Sequence, residues 1–205
     1  ILIQKNLLEN INIKSIKLFI FFSSISIYEN QKKGILNETN IVYPTTPYAK
    51  SKFECEKLLK KFTKIKNFKG VSLRFSGVHG EKRKDGLVYN IFDDILKNKE
   101  TILKNQNKKL RLTFLDDVSS ALKLLITKYP KNLFTIYNVS GKEILTSIEF
   151  YNKIKNLFKL KKIKIKIKII DENSSVLNIK KFTKEYKFKP LSLRTKLLKI
   201  KKSLI

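Results

Sequence analysis

The spacing of apolar positions changes several times along the chain, and each change marks an element. Ile3, Leu7, Leu8 and Ile11 recur at helical spacing, so residues Ile1 to Lys14 are expected to form a helix. The apolar run from Ile16 to Phe22 ends in Ser23-Ser24. A run this hydrophobic predicts a central parallel strand buried on both faces. Glu29 to Pro47 gathers Gly34, Asn37, Asn40, Pro44 and Pro47, and reads as a loop. Tyr48 to Lys64 predicts a long helix, and Gly70 to Phe75 a second strand followed by a loop with Gly77, Gly80 and Gly86.

Further on, Leu87–Asn98 and Ser147–Leu160 have helical patterns, Leu110–Leu115 reads as extended and Phe134–Val139 as a short strand. Asp116–Lys128 predicts a helix whose opening aspartates suit a helix N-terminus. Lys162–Ile169 alternates Lys and Ile with period two, which predicts a strand with one dry face. The tail, Asn178–Ile205, holds two short helical stretches around Pro190. The order strand, helix, strand and then mixed elements places the chain in the α/β class.

Composition adjusts this picture. The chain has 205 residues, enough for one domain or one domain with a small appendage. A hydrophobic content of 42% and a charged content of 30% suit a folded chain. The net charge of +28 raises nucleic acid as a partner, but only Arg74, Arg83, Arg111 and Arg194 are arginines. Lys, Ile and Asn are the inflated types, their codons are A/T-rich, and the lysines spread along the whole chain. No specific nucleic-acid partner is expected, only loose attraction to polyanions. Cys55 is the sole cysteine, so no internal disulfide or cysteine metal cluster can form, which favours a reducing, cytoplasmic location. No apolar run is long enough to span a bilayer, and no membrane partner is expected. The chain opens Ile1-Leu2-Ile3 and contains no Met, so it is expected to be a fragment.

The sharpest chemical feature is Tyr48-Ala49-Lys50-Ser51-Lys52, with Tyr48 and Lys52 on one helix face. A free phenol titrates near 10 and is a poor base at neutral pH. An ammonium about 4 Å from a phenol, at an effective dielectric of about 20, favours the phenolate by up to about 4 kcal/mol. Such a pair can take the proton from a sugar hydroxyl while a hydride leaves its carbon. The same spacing recurs at Tyr28/Lys32 and Tyr151/Lys155. Only Tyr48 opens a helix after a proline-bearing loop, with a strand ending in Ser-Ser ahead of it.

The stretch Phe19-Ile20-Phe21-Phe22-Ser23-Ser24-Ile25-Ser26-Ile27-Tyr28, followed by Glu38, Pro44, Pro47 to Lys52 and Glu56, resembles the active-site region of extended short-chain dehydrogenases/reductases. The type it resembles is the NAD-dependent sugar-nucleotide epimerase/dehydratase. Leu73 to Gly80, Arg111 to Val118, Tyr137 to Gly141 and Phe188-Lys189-Pro190 are similar to later landmarks of that family, in the same order. The resemblance implies that Ser24 is the catalytic hydroxyl, Tyr48 the base, and Lys52 its activator and a ligand of the nicotinamide ribose. It places Ser23 with Tyr48 and Lys52 at the cofactor, and Ser24, Ser26, Gly77 and Arg111 at the substrate. NAD or NADP is the implied cofactor, a sugar nucleotide the substrate and a homodimer the full-length assembly. The implied fold is a partial Rossmann-like, doubly wound parallel sheet with a smaller C-terminal α/β substrate domain. Residues 1–80 form the C-terminal half of the first. Residues 81–205 form mostly the second, with strand and helix returns to the core. The implied activity is epimerisation or ketone reduction, for cell-surface polysaccharide synthesis. A non-catalytic or decayed fragment, kept as a scaffold or binding module, is the alternative.

The chain also departs from the family pattern. The Gly-rich pyrophosphate-binding turn is absent. Gly77 stands where many members have a substrate-contacting Asn, and His79 where Tyr is usual, which suggests a loop or packing role for His79. Ile25-Ser26 follows Ser24 where the 4,6-dehydratases carry acidic residues, an argument against dehydration. A late substrate-binding Arg is not evident between Ile170 and Lys180. Asp116-Asp117 reads as a helix start rather than a metal site, Lys161–Ile170 as a solvated strand face, and Cys55 as packed core.

Overall fold

The computed structural model describes residues 1–12, 16–160, 165–169 and 174–204. Its first half runs α1 (Leu2–Asn10), β1 (Leu18–Ser24), β2 (Lys33–Leu36), α2 (Pro47–Lys66), β3 (Lys69–Phe75), β4 (Val78–His79), α3 (Gly86–Leu96) and β5 (Thr101–Leu103). There follow β6 (Lys109–Leu110), β7 (Thr113–Phe114), α4 (Leu115–Thr127), β8 (Phe134–Val139), β9 (Leu145–Thr146) and α5 (Ser147–Leu157). The chain closes with β10 (Ile165–Ile167), β11 (Ser174–Leu177), α6 (Lys180–Tyr186) and α7 (Leu193–Leu204). A 3-10 turn, Ile25–Tyr28, follows β1 directly.

The core is a parallel sheet in the order β1-β3-β8, with Ser24 level with Phe75 and Arg74 level with Asn138. Alternation along the strands sends successive side chains to opposite faces. Phe19 and Phe21 of β1 meet Leu8 of α1 and Leu59 and Phe62 of α2. Leu18 and Ile20 join Val71, Leu73 and Phe75 against Val118, Ala121 and Leu125 of α4 and Phe182 and Tyr186 of α6. Helices therefore cover both faces, the Rossmann-like α/β arrangement. Each large apolar side chain fully buried in these layers contributes about 1.5–3 kcal/mol. A second core gathers α3, α5 and α7 through Ile91, Phe92, Phe150, Ile154, Leu197 and Ile200.

Local sequence accounts for the helix that matters most to the site. Thr46 caps α2, its hydroxyl accepting from the Ala49 N–H at 3.3 Å, and Pro47 takes the first helical position. Asn67 ends the helix in the left-handed region at φ 50°. Gly70 lets α2 lie close on β3, since a Cβ there would run into the Thr63 methyl.

Three expectations are corrected. β1 is not central: among the described residues it pairs with β3 alone, and Phe22 is 45% exposed. The supposed loop of Glu29–Pro47 contains β2, which pairs in parallel with β11, Lys33 level with Ser174. The Lys-Ile segment, described from residue 165, pairs with β5 over three residues, but Ile167 and Ile169 are 42% and 82% exposed. A two-stranded ribbon covers too little to dry a whole face; of the described isoleucines of this segment only Ile165 packs into the second core, and residues 162–164 lie outside the described residues.

Candidate active site

The site lies where β1 and β3 end, the position at which open parallel sheets bind ligands. Ser24 is the last residue of β1. Its hydroxyl donates to the Ser26 hydroxyl at 3.1 Å and accepts from the Ser26 N–H at 3.1 Å, capping the turn that follows. Ser23 is buried, and its hydroxyl has no partner among the described residues. Tyr48, the second residue of α2, is 55% exposed. Lys52 sits one turn on. Its ammonium donates to the Phe22 carbonyl at 2.9 Å and lies 5.0 Å from the Phe21 ring centre and 5.7 Å from that of Tyr48. Lys52 thus ties the Tyr48 turn of α2 to the end of the strand that carries Ser23 and Ser24. Ser24 and Tyr48 share no hydrogen bond.

The other two Tyr-x-x-x-Lys pairs differ. Tyr28 is buried, donates its hydroxyl to Asn138 Oδ1 at 2.9 Å, and burial raises its pKa. Tyr151 is also buried, with its pKa raised for the same reason. Both are packed into the fold where Tyr48 is not, although Tyr28 also borders the cavity described next.

A cavity of about 450 Å³ adjoins this region. Ser26, Gly77 and Arg111 line it, together with Thr46, the residue that caps the Tyr48 helix. Ser24, Tyr48 and Lys52 do not line it; their chain neighbours Ile25 and Thr46 do. Arg111 donates to the carbonyls of Leu177 at 2.6 Å and Lys142 at 3.1 Å. Its Nε is buried without a partner, no carboxylate pairs with it among the described residues, and burial lowers its pKa. A chain of hydroxyls supports it from beneath. Ser76 and Thr113 lie 2.7 Å apart, Thr113 donates to Ser140 at 3.0 Å, and Ser76 and Ser140 both donate to the Arg111 carbonyl.

The site also holds residues not foreseen from the sequence. Glu29 lines the cavity and accepts from the backbone N–H groups of Thr45 and Thr46 and, at 2.8 Å, from the Thr46 hydroxyl. Lys108 and Lys109 line the wall beside Arg111. The segment up to Pro47 reads as loop in the sequence; a Thr followed by Pro is the chemistry of a helix start, but nothing local links it to Glu29. His79, buried at 7% exposure, lies between the cavity and the Phe114 ring at 5.8 Å. Burial first, then the Arg83 charge, push its pKa down to about 4, against a smaller opposing pull from Asp85. Asp116 and Asp117 are engaged by Lys199 and Lys196, each at 2.6 Å, and Asp117 also accepts from the Phe114 N–H.

The model of the NAD dependent epimerase/dehydratase family matches residues 1–140. The chain is 24% identical over 164 residues to a dTDP-D-glucose 4,6-dehydratase of Dictyostelium discoideum, covering 74% of this chain and 37% of that protein. It is 24% identical over 155 residues to an uncharacterized UDP-glucose epimerase, YtcB, of Bacillus subtilis, covering 75% of this chain and 48% of that one. It therefore spans less than half the length of these two relatives. The solved UDP-glucuronic acid 4-epimerase of Bacillus cereus, in complex with NAD, superimposes with a TM-score of 0.82 at 21% identity, covering 98% of this chain and 66% of that one. With the family model matched over more than half of its 205 residues, and with a parallel sheet that ends at a Ser-Ser pair beside a Tyr-x-x-x-Lys helix, the chain belongs to the NAD dependent epimerase/dehydratase family.

Proposed function

We propose that this chain carries the catalytic and substrate-binding part of an NAD(P)-dependent epimerase, or ketone reductase, that acts on a sugar nucleotide in the cytoplasm for cell-surface polysaccharide synthesis. The observation that carries the reading is the cavity beside the Thr46–Tyr48 helix start, lined by Ser26, Gly77 and Arg111. Tyr48 is exposed and free to take a hydroxyl proton, one helical turn from Lys52. Ser24 would donate to the reacting oxygen, and in epimerisation the resulting ketone turns over before its other face is reduced. Arg111 would hold the phosphates.

The residues present fit a nicotinamide ribose. An ammonium has three donors, and Lys52 uses one on the Phe22 carbonyl. The Ser23 hydroxyl beside it is buried and unpartnered among the described residues. When bound, the nicotinamide supplies a hydride acceptor and donor. We further propose pairing of two copies through α1 and α2, since Leu2 and Ile3 of α1 are 68% and 86% exposed.

Calorimetric titration with UDP-glucose tests the reading. The chain is expected to bind it, and Arg111→Gln to weaken binding about tenfold or more, as the loss of a charge-assisted phosphate contact implies. A well-folded chain that gives no heat with UDP-glucose would support the scaffold reading instead. The same chain is expected to bind NAD and NADP more weakly than about 1 mM, because it lacks the Gly-rich turn that meets a pyrophosphate. Micromolar affinity for either dinucleotide would refute that expectation.

A further inference from the structure

The charge on the cavity wall is not uniform, and on the reading of the cavity as a sugar-nucleotide site this asymmetry selects the sugar. Lys108, Lys109 and Arg111 line one wall. Glu29 lines the cavity with Ser26 and Thr46. Both oxygens of Glu29 are engaged: Oε1 accepts from the Thr45 and Thr46 N–H groups and Oε2 from the Thr46 hydroxyl. These bonds fasten the carboxylate to the residue that caps α2, two positions before Tyr48. The negative charge therefore belongs to the Tyr48 end.

That charge persists at neutral pH. The bond from Thr45, followed by those from Thr46, holds the Glu29 carboxyl below the usual carboxylate range. No lysine or arginine pairs with it among the described residues; Lys50 acts on it only through space. A ligand whose phosphates lie on the lysine and arginine wall extends its sugar toward Tyr48, and so toward Glu29. The hydroxyls of Ser26, Thr46 and Ser76 line the same space. They suit the hydroxyls of an uncharged sugar, whereas a sugar carboxylate would meet a like charge held in place by Thr45 and Thr46.

We propose that Glu29 makes the site selective for sugar nucleotides with an uncharged sugar and excludes those whose sugar bears a carboxylate. This preference is opposite to that named for the Bacillus cereus UDP-glucuronic acid 4-epimerase, which shares the fold.

The test is calorimetric titration of the 205-residue chain with UDP-glucose and with UDP-glucuronic acid, for wild type and Glu29→Gln. The wild-type chain is expected to bind UDP-glucose at least about tenfold tighter. In the glutamine variant, which keeps an acceptor oxygen for Thr46, the two affinities are expected to come within about threefold of each other. Equal wild-type affinities would overturn the proposal, and so would a preference that survives Glu29→Gln in a chain with native circular dichroism. If the variant does not fold, the wild-type ratio is measured at low and high salt. An electrostatic preference shrinks as salt rises, and a salt-independent ratio counts against Glu29. Failure of both sugar nucleotides to bind would instead remove the sugar-nucleotide reading itself.

Discussion

Replacing Glu56 with alanine is expected to lower the unfolding free energy by about 3–5 kcal/mol, the cost of leaving a buried charge without its partner. Glu56 and Arg74 are 2% and 3% exposed at the side chain and 2.6 Å apart. The carboxylate accepts from Arg74 Nε at 2.9 Å, from Arg74 Nη2, and from the Ser72 hydroxyl at 2.8 Å. Burial opposes the Arg74 charge, but the Glu56 carboxylate outweighs it and raises the Arg74 pKa. Removing the carboxylate leaves a guanidinium whose Nη1 already lacks a partner among the described residues. Urea unfolding of Glu56→Ala and Arg74→Met, separately and together, checks the claim. The double variant is expected to lose less than the sum, because two apolar side chains leave no orphaned charge. A loss below about 1 kcal/mol for Glu56→Ala would show that the pair is not uncompensated when broken.

This ion pair also reaches the site. Tyr48, Lys52 and Glu56 repeat at four-residue spacing and share a face of α2. Lys52 fastens that face to β1, and Glu56 fastens it to Ser72 and Arg74 of β3. Arg74 lies 4.7 Å from the Tyr28 ring centre, and Tyr28 reaches Asn138 of β8. The rotation of α2, and with it the direction in which Tyr48 points, is therefore set by Lys52 at the end of β1 and by the buried Glu56–Arg74 pair on β3.

Acid is expected to unfold the chain partly through His79. Its folded pKa of about 4 lies below the ordinary 6.5. Between those values the unfolded chain binds the proton and the folded chain does not. Stability is thus fully present above about pH 6.5 and falls as the pH drops toward 4, by up to about 3 kcal/mol over that window. The cause is placement: the imidazole is 7% exposed, packs on Phe114, and feels Arg83 more strongly than Asp85. His79→Phe keeps an aromatic ring there and cannot take a proton. Unfolding free energies at pH 7, 5.5 and 4.5 are expected to fall more steeply for wild type than for the variant. Parallel slopes would mean that His79 charges as easily in the folded chain as in the unfolded one.

The helices, the three core strands and the Tyr48–Lys52 pair were legible along the chain, because each is written in a local period. The apolar rows of α2 and α4 recur at helical spacing, and β3 and β8 are short apolar runs. Ser24 and Lys52 could be paired only through resemblance to a family. What the tertiary structure decided is every partnership across long separations. β2 finds β11, Arg111 finds the carbonyls of Leu177 and Lys142, and Glu29 finds Thr45 and Thr46 across a stretch that read as loop. It also decided which of three Tyr-x-x-x-Lys pairs stands open, since Tyr28 and Tyr151 are buried and Tyr48 is not. Burial and register arise from packing the whole chain at once. A residue's own neighbours in sequence carry no record of which distant group will take it out of water.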